Sequence, residues 1–485
     1  MSDERKPNKR LVKDEFGQQF ELKSKLGEGG QGLVCTTQFE QVLVKINTQA
    51  DKKRKSQWME HIRWLMRQPL EQLNIAKPFA RIPPQENKGN VGYALELMHG
   101  LIPLQSLMDE TESAMDESEG SPEKYLETGG IKRRMRLLAR LARTLADLHS
   151  RGLAFGDLSP SNIFVSKEVE YDQVWLIDCD NICVNQRDSY DSSEVEGRPG
   201  RVYSPGYGAP EVVNGDAFVS SLTDSWSFAV IALKLLTTNH PFIGEFVDSG
   251  TPEDEERAFN GELAWIYHSE DFSNEVFKGL PLELVALKPL RDAFERCFEL
   301  GKDNPTARPT LNEWAEVFER MSHLLVRCQS SRCNATYNFD VTDGVLLCPF
   351  CDTKASSSQV LFIRNVIEDT SLLNIEGASR KDSLIDTGYS QTLNLNEELV
   401  VKNSPPGSVY WHESGEAFSL SLTTEHLIVK PAKGKDVKFS IGSSSLKSFS
   451  KEIKLASNER DGKWLRFAPQ SSGSEGLINS FWVKW

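Results

Sequence analysis

The stretch Ala154-Phe-Gly-Asp157-Leu-Ser-Pro-Ser-Asn162-Ile-Phe-Val165, followed by Val174-Trp-Leu-Ile-Asp178-Cys-Asp180-Asn181, decides how this chain is read. It sets an aspartate and an asparagine five apart in a loop, after a helical pattern ending near His149 and before an apolar run that closes on Asp178. Phosphoryl transfer asks little covalent help of a protein. It needs a carboxylate to receive a hydroxyl proton, and oxygen ligands to hold Mg²⁺ on the phosphates. Asp157 suits the first task, Asn162 and Asp178 the second. Taken singly, each is equally an ordinary turn residue. Their order, with what lies upstream, points to chemistry.

Upstream, Gly27-Glu-Gly29-Gly30-Gln-Gly32-Leu-Val34 fits G-x-G-x-x-G-x-V between two strand-like runs, Glu21–Leu26 and Leu33–Thr37. Glycines belong where backbone must press against a phosphate and turn its N–H groups toward it. A dinucleotide site would have a helix after the glycines; strands on both sides favour a flap over a nucleotide. Thirteen residues on, Val42-Leu-Val-Lys45 puts a lysine in an apolar strand. A buried ammonium is costly without an anion, so a phosphate partner is the economical explanation. Glu60, on the helical pattern Gln57–Arg67, is the candidate to hold that ammonium.

In this order the motifs resemble the protein kinase family, specifically bacterial relatives of eukaryotic Ser/Thr kinases, over roughly Phe20–Val326. Ser204-Pro-Gly-Tyr207-Gly-Ala209-Pro210-Glu211 resembles the end of an activation segment. Asp224-Ser-Trp226-Ser resembles the opening of a buried central helix, and Thr306-Ala-Arg308-Pro309 the arginine that pairs with Glu211. Leu95-Glu96-Leu97-Met98 looks like the hinge that binds adenine. The resemblance implies a two-lobed α+β domain that uses ATP and Mg²⁺ to phosphorylate Ser or Thr of a protein substrate. Gly27, Gly29, Gly30, Gly32 and Val34 would cover the phosphates and Lys45 would bind them, positioned by Glu60. Glu96 and Met98 would meet adenine, Asp157 would be the base, and Asn162 and Asp178 the Mg²⁺ ligands.

The departures from the pattern matter as much. Phe155-Gly156-Asp157 stands where kinases usually have His-Arg-Asp, so control by activation-loop phosphate is in doubt. Ser159 replaces the catalytic-loop lysine and Ser161 offers no arginine. Losing that preorganised charge implies a rate lower by on the order of 10²–10³. D-F-G has become Asp178-Cys179-Asp180, where Asp180 either adds a metal ligand or caps a turn. Leu43 replaces the customary alanine, which implies a tighter pocket. Two other readings compete: a pseudokinase scaffold, and a small-molecule kinase of the aminoglycoside or choline type. The second lacks the A-P-E segment and the D-x-W-S helix. Ser189, Tyr190, Ser192 and Ser193 are candidate autophosphorylation sites, or simply part of a polar loop.

At 485 residues the chain exceeds one ordinary core, and two to four domains are expected. The formal charge of −14 argues against a nucleic-acid binder or a protein held to anionic lipid. No 18-residue apolar run exists and the charged N-terminus is no secretory signal. A cytoplasmic, reducing setting follows, in which cysteines serve as thiols and metal ligands. Residues 1–14 are expected as a flexible tail, 15–98 and 99–326 as the two lobes, and the acidic run Asp109–Glu123 as a solvated insertion. Cys328-x4-Cys333-x14-Cys348-x2-Cys351 (residues 327–355) has zinc-ribbon spacing, and four thiolates make a closed, structural Zn²⁺ site. Cys35, Cys179, Cys183 and Cys297 lack such spacing and are expected to pack as small apolar residues. Residues 356–390 read as a Ser-rich linker with a strand candidate at Val360–Val366. Regular strand-and-turn spacing over 391–485 suggests an all-β sandwich or barrel that recognises a protein partner.

Overall fold

The structure, a computed structural model, describes residues 10–484 apart from 30–31, 85–90, 186–199, 334, 340–346, 356–358, 373–381, 409–410, 412, 443, 457–462 and 471–475. Gly30, Ser189, Tyr190, Ser192 and Ser193 therefore lie outside the described residues. The chain forms two compact units. The first comprises residues up to Gly129 with Arg136–Pro281 and Pro289–Glu316; the second comprises Gly130–Met135, Leu282–Lys288 and Val317 onward. The first unit thus ends at Glu316 rather than at 326.

The first unit opens on a hairpin of β1 (Arg10–Lys13) and β2 (Gln19–Leu22). The Asp14 carboxylate accepts from the N–H groups of Phe16 and Gln18 (2.9 and 2.8 Å), and Gly17 takes the left-handed φ of +93° that the turn needs. Val12 and Phe20 anchor this hairpin in a core with Val44, Ile46, Ile82 and Ala94. The flexible tail expected over 1–14 is therefore corrected from Arg10 onward: two apolar side chains are enough to tie the segment down. An antiparallel sheet follows, of β3 (Lys25–Gly29), β4 (Gly32–Thr36), β5 (Val42–Asn47), β6 (Pro78–Ile82) and β7 (Val91–Glu96), in the order β3-β4-β5-β7-β6. Central position buries β5 almost throughout, as its sequence VLVKIN requires. Helix α1 (Lys52–Leu65) starts at Asp51, whose carboxylate accepts from the N–H groups of Lys53 and Arg54, and buries Met59, Ile62, Trp64 and Leu65.

The rest of the first unit is mainly helical. Leu104–Glu117 forms a helix whose inner face buries Leu107, Met108, Thr111 and Met115. The solvated insertion expected over Asp109–Glu123 is corrected accordingly, because Leu104, Leu107, Met108 and Met115 recur at helical spacing around the acids and are buried. Ser221–Thr237 is buried along nearly its whole length and starts with a reciprocal capping box between Ser220 and Thr223. Beside it, the Arg308 guanidinium binds Glu211 through both oxygens (2.7 and 2.8 Å) and lies 4.8 Å from the Trp226 ring centroid. The arginine and glutamate singled out in the sequence thus meet.

In the second unit, Leu325–Arg327 and Thr336–Asn338 pair antiparallel beside the four cysteines. Two sheets then enclose one core. The larger runs Leu384–Asn394, Val360–Asp369, Leu477–Lys484, Leu465–Pro469, Val437–Ile441, Lys447–Phe449; the smaller runs Glu398–Lys402, Glu416–Leu422, His426–Pro431, Ile453–Ala456. Leu361, Ile363, Leu420, Val429, Phe467 and Phe481 fill the space between them. The linker expected over 356–390 is thereby corrected. Val360–Asp369 pairs on both sides and Leu384–Asn394 on one, so the sandwich begins at 360 and not at 391. A continuous apolar run such as Val360–Ile363 is what a strand needs when both of its faces are buried, as they are here. Trp464 and Trp482 flank the guanidinium of Arg364 (4.7 and 5.2 Å) and are half-buried.

Candidate active site

β5 pairs with β4 on one side and β7 on the other, so Val34, Lys45 and Tyr93 stand in register. This puts the Lys45 side chain under the glycine hairpin, where Gly29 pairs Gly32. A β-carbon on Gly32 would fall 2.5 Å from the Ile46 carbonyl oxygen, so the hairpin lies flush on β5 only because residue 32 lacks one. Below it opens a cavity of about 560 Å³. Gly27, Gly32, Val34 and Lys45 line it from the sheet, Glu96 and Met98 from the end of β7, and Asp157 and Asp178 from the helical part. Leu43, Leu95, Phe164 and Ile177 make its walls apolar.

Asp224 holds the loop that carries Asp157. Its fully buried carboxylate accepts from the N–H groups of Phe155 (2.6 Å) and Gly156 (2.9 Å) and lies 2.9 Å from His149 Nε2. Gly156 has φ +93°, and a β-carbon there would stand 2.8 Å from the Asn181 carbonyl oxygen. The residue before Asp157 is therefore glycine for a backbone reason, and arginine could not be restored there without moving the loop. Asn162 donates its amide N–H to the Asp157 carbonyl (2.9 Å), which ties the two ends of the loop together. Its own side chain is not among those lining the cavity. The Ser204 hydroxyl donates to Asp157 Oδ1 (2.8 Å). The sequence marked Ser204 only as part of a motif; its contact with Asp157 was not legible there. Ser159 is buried, its hydroxyl 3.0 Å from that of Ser161. Among the described residues that line the cavity, Lys45 is the one cation.

Lys45 is 6% exposed, and its ammonium is held by two carboxylates, Asp178 Oδ1 and Asp180 Oδ2, the latter at 2.8 Å. Burial acts to lower its pKa, and the charges of Asp180 and Asp178 more than reverse this, so the ammonium is raised above its usual range. The carboxyl of Asp178 is raised by burial and by Asp180, against the pull of Lys45. Asp178 has φ 57° and ψ 49°, a left-handed conformation that aspartate tolerates better than most residues. Strain of this kind, roughly 1–3 kcal/mol, clusters at functional sites. Glu60 is not part of the arrangement. It is exposed on α1, one position past the buried Met59 and so turned away from the packed face. The role expected for Glu60 is therefore corrected: the helix brings Trp58 to the site instead, its Nε1 donating to Asp180 Oδ2 (3.2 Å).

In the second unit the sulfurs of Cys328, Cys333, Cys348 and Cys351 all lie within 4.8 Å of one another, with Cys328–Cys351 at 3.5 Å and Cys333–Cys348 at 3.8 Å. Those spacings are far from a disulfide, about 2.05 Å. They match the edges of a tetrahedron with metal–sulfur bonds of about 2.3 Å, whose corners are about 3.8 Å apart. Hydrogen bonding with the side chain and backbone of Thr353 lowers the Cys351 thiol pKa to about 6. The other four cysteines are buried thiols. No helix among the described residues is long and apolar enough to cross a membrane.

Comparison with known proteins agrees with this geometry. Serine/threonine-protein kinase pkn2 of Myxococcus xanthus is 33% identical over 112 residues, 23% of this chain and 13% of its own. Maternal embryonic leucine zipper kinase of Xenopus laevis is 29% identical over 103 residues (21% and 15%). Ribosomal protein S6 kinase alpha-2 of Homo sapiens is 35% identical over 112 residues (22% and 13%). The chain thus spans about one seventh of the length of these relatives. The family model for the protein kinase domain matches residues 20–317, more than half of the chain. With glycine hairpin, strand lysine, loop aspartate and strand-end aspartate gathered on one cavity, the chain belongs to the protein kinase family.

Proposed function

We propose that this chain transfers the γ-phosphoryl group of ATP to Ser or Thr of a protein substrate in a Mg²⁺-dependent reaction, in the cytoplasm of a bacterium. The observation that carries the reading is the convergence of Lys45, Asp157 and Asp178 on one cavity. Its apolar walls suit a planar base, and the backbone of Glu96–Met98 would meet the adenine edge. Gly27, Gly29, Gly30 and Gly32 would cover the phosphates with Val34 beneath. Lys45 would bind the α and β phosphates once they compete for its ammonium. Asp178, whose side chain is 37% exposed, and Asn162, whose amide oxygen has no hydrogen bond among the described residues, would hold Mg²⁺, which neutralises phosphate charge when bound. Asp157 would orient the substrate hydroxyl and accept its proton. With Ser159 in the lysine's place, turnover is expected to be slow.

The proton acceptor makes a pH prediction. Burial raises the Asp157 carboxyl above its ordinary 3.8, and the hydrogen bonds from Ser204 act the other way. A base works only when ionised, so kcat/KM is expected to fall as pH drops through that raised value. Ser204→Ala removes a bond that favours the charged form, so the acid limb should move to higher pH. A limb that stays put or moves down would contradict the assignment.

Labelled ATP, Mg²⁺ and a generic acceptor protein, with Asp157→Ala as control, test the activity. Label on Ser or Thr that vanishes in the control supports a kinase. Nucleotide binding without any transfer would point to a scaffold instead. For the cysteine module we propose a structural Zn²⁺ held by Cys328, Cys333, Cys348 and Cys351, supported by their tetrahedral spacing. Among its described residues the β-sandwich shows no cluster of His, Cys, Asp or Glu that could hold a metal, and a protein partner is the reading its composition supports.

A further inference from the structure

We infer that Asp180, and not an acid on helix α1, is the residue that positions the Lys45 ammonium for nucleotide. The inference rests on the kinase reading above and deepens it. Asp180 and Asp178 both touch Lys45, but their surroundings differ. The Asp178 side chain is 37% exposed and lines the cavity. The Asp180 side chain has no exposed surface. Its Oδ1 accepts from the Tyr93 hydroxyl, and its Oδ2 from Lys45 Nζ and from Trp58 Nε1. Both oxygens are thus committed to donors, and no edge faces the space where a hydrated cation would sit. Metal ligation, one of the roles open to Asp180 on sequence, does not fit such a carboxylate.

The division of labour follows. A lysine buried on a central strand needs a buried counter-charge, or its desolvation is uncompensated. When a nucleotide and its cation claim Asp178, the anchor left to Lys45 is Asp180. Three elements meet on that one carboxylate: β5 through Lys45, β7 through Tyr93, and α1 through Trp58. The Trp58 and Tyr93 rings stack at 5.6 Å with 27° between their planes, which fixes both donors. Asp180 sits in the tight turn Cys179–Asn181 directly after Asp178. The buried counter-charge thus comes from the loop, and from the helix an indole faces it.

The test is binding of a non-hydrolysable ATP analogue to the full chain by calorimetry, once with Mg²⁺ and once with EDTA. Asp180→Asn is expected to weaken binding about 30-fold or more in both conditions, the scale of truncating one partner of a buried charge pair. Asp180→Glu should recover part of that loss. Glu60→Gln should stay within about twofold, as surface substitutions do. Tyr93→Phe keeps the carboxylate and removes one of its donors, for an expected loss of about two- to tenfold. If Asp180→Asn does not fold, as thermal melting would reveal, Tyr93→Phe and the relocation variant W58E/D180N decide. The latter returns an acid to the helix, and affinity above that of any variant lacking the acid supports positioning over a merely structural role. Loss only with Mg²⁺ would make Asp180 a metal ligand and overturn the inference. So would Glu60→Gln losing as much as Asp180→Asn, or unchanged binding by Asp180→Asn and Tyr93→Phe. A wild-type chain that binds no nucleotide would overturn the kinase reading, and this inference with it.

Discussion

Asp157→Ala is expected to lower the rate of phosphoryl transfer by about 10²–10⁴, the range for losing a positioned general base, while nucleotide affinity barely moves. The split follows from where the groups sit. Lys45 and the glycine hairpin would meet the nucleotide from the sheet, whereas Asp157 stands on the loop that Asp224 pins through the N–H groups of Phe155 and Gly156. That backbone anchoring does not involve the Asp157 carboxylate, so removing the carboxylate should leave the loop where it is. The loss should therefore appear in kcat, with the KM for ATP little changed. Asp157→Asn, which keeps shape and can still accept the Ser204 hydrogen bond, should lose nearly as much, because an amide cannot take the proton. Retained turnover in Asp157→Ala would mean that another group receives the proton or that the signal comes from a contaminant. A KM rising in parallel with an unchanged kcat would place Asp157 in ground-state binding instead.

Removing metal from the cysteine module should have the largest effect on stability. Zinc in comparable four-ligand sites contributes about 10–16 kcal/mol of apparent folding free energy to small peptides near neutral pH. The hairpin Leu325–Arg327 with Thr336–Asn338 is too short to be stable by itself. Its fold must come from the tetrahedral site and from packing within its own unit. Metal analysis of the purified chain should find about one zinc per molecule. Cys333→Ser with Cys348→Ser should abolish it, and the amides of 325–339 and 347–355 should then exchange with solvent far faster. The β-sandwich has its own core around Leu420 and Phe467, and should keep its protection. Thiol titration that finds disulfides, or a chain that carries no zinc and is indifferent to a strong chelator, would contradict the assignment.

How much of this was legible depended on whether local pattern or tertiary partner decides. The glycine hairpin, Lys45, Asp157 and Asp178 could be read because each is defined by a short motif, and sheet register brings them together. The strand Val42–Ile46 follows from its apolar run, and Phe418–Leu422 and Val437–Ile441 from short β-like runs set between turn residues. Glu60 misled because an acid on the right helix says nothing about which face it occupies; Met59 and Ile62 claim the packed face and turn Glu60 outward. Asp180 was seen but left between two roles, since its partners Tyr93 and Trp58 lie far off in sequence. The strand candidate at Val360–Val366 is a strand in the structure, whereas the strand at 384–394 was hidden by the polar residues around it. The helix at 104–117 was hidden by acids that lie on its solvent side while Met108, Thr111 and Met115 point inward. The glycine at 156 looked like a missing arginine until its backbone conformation was known.

One measurement reaches the centre of the account: a crystal structure of the full chain with a non-hydrolysable ATP analogue and Mg²⁺. The account predicts the triphosphate under the glycine hairpin, Lys45 Nζ within hydrogen-bond reach of its α or β phosphate at about 2.7–3.2 Å. It predicts an Asp178 oxygen about 2.0–2.1 Å from the cation on the same phosphates. Nucleotide bound elsewhere, or Lys45 and Asp178 still closed on each other beside it, would contradict it.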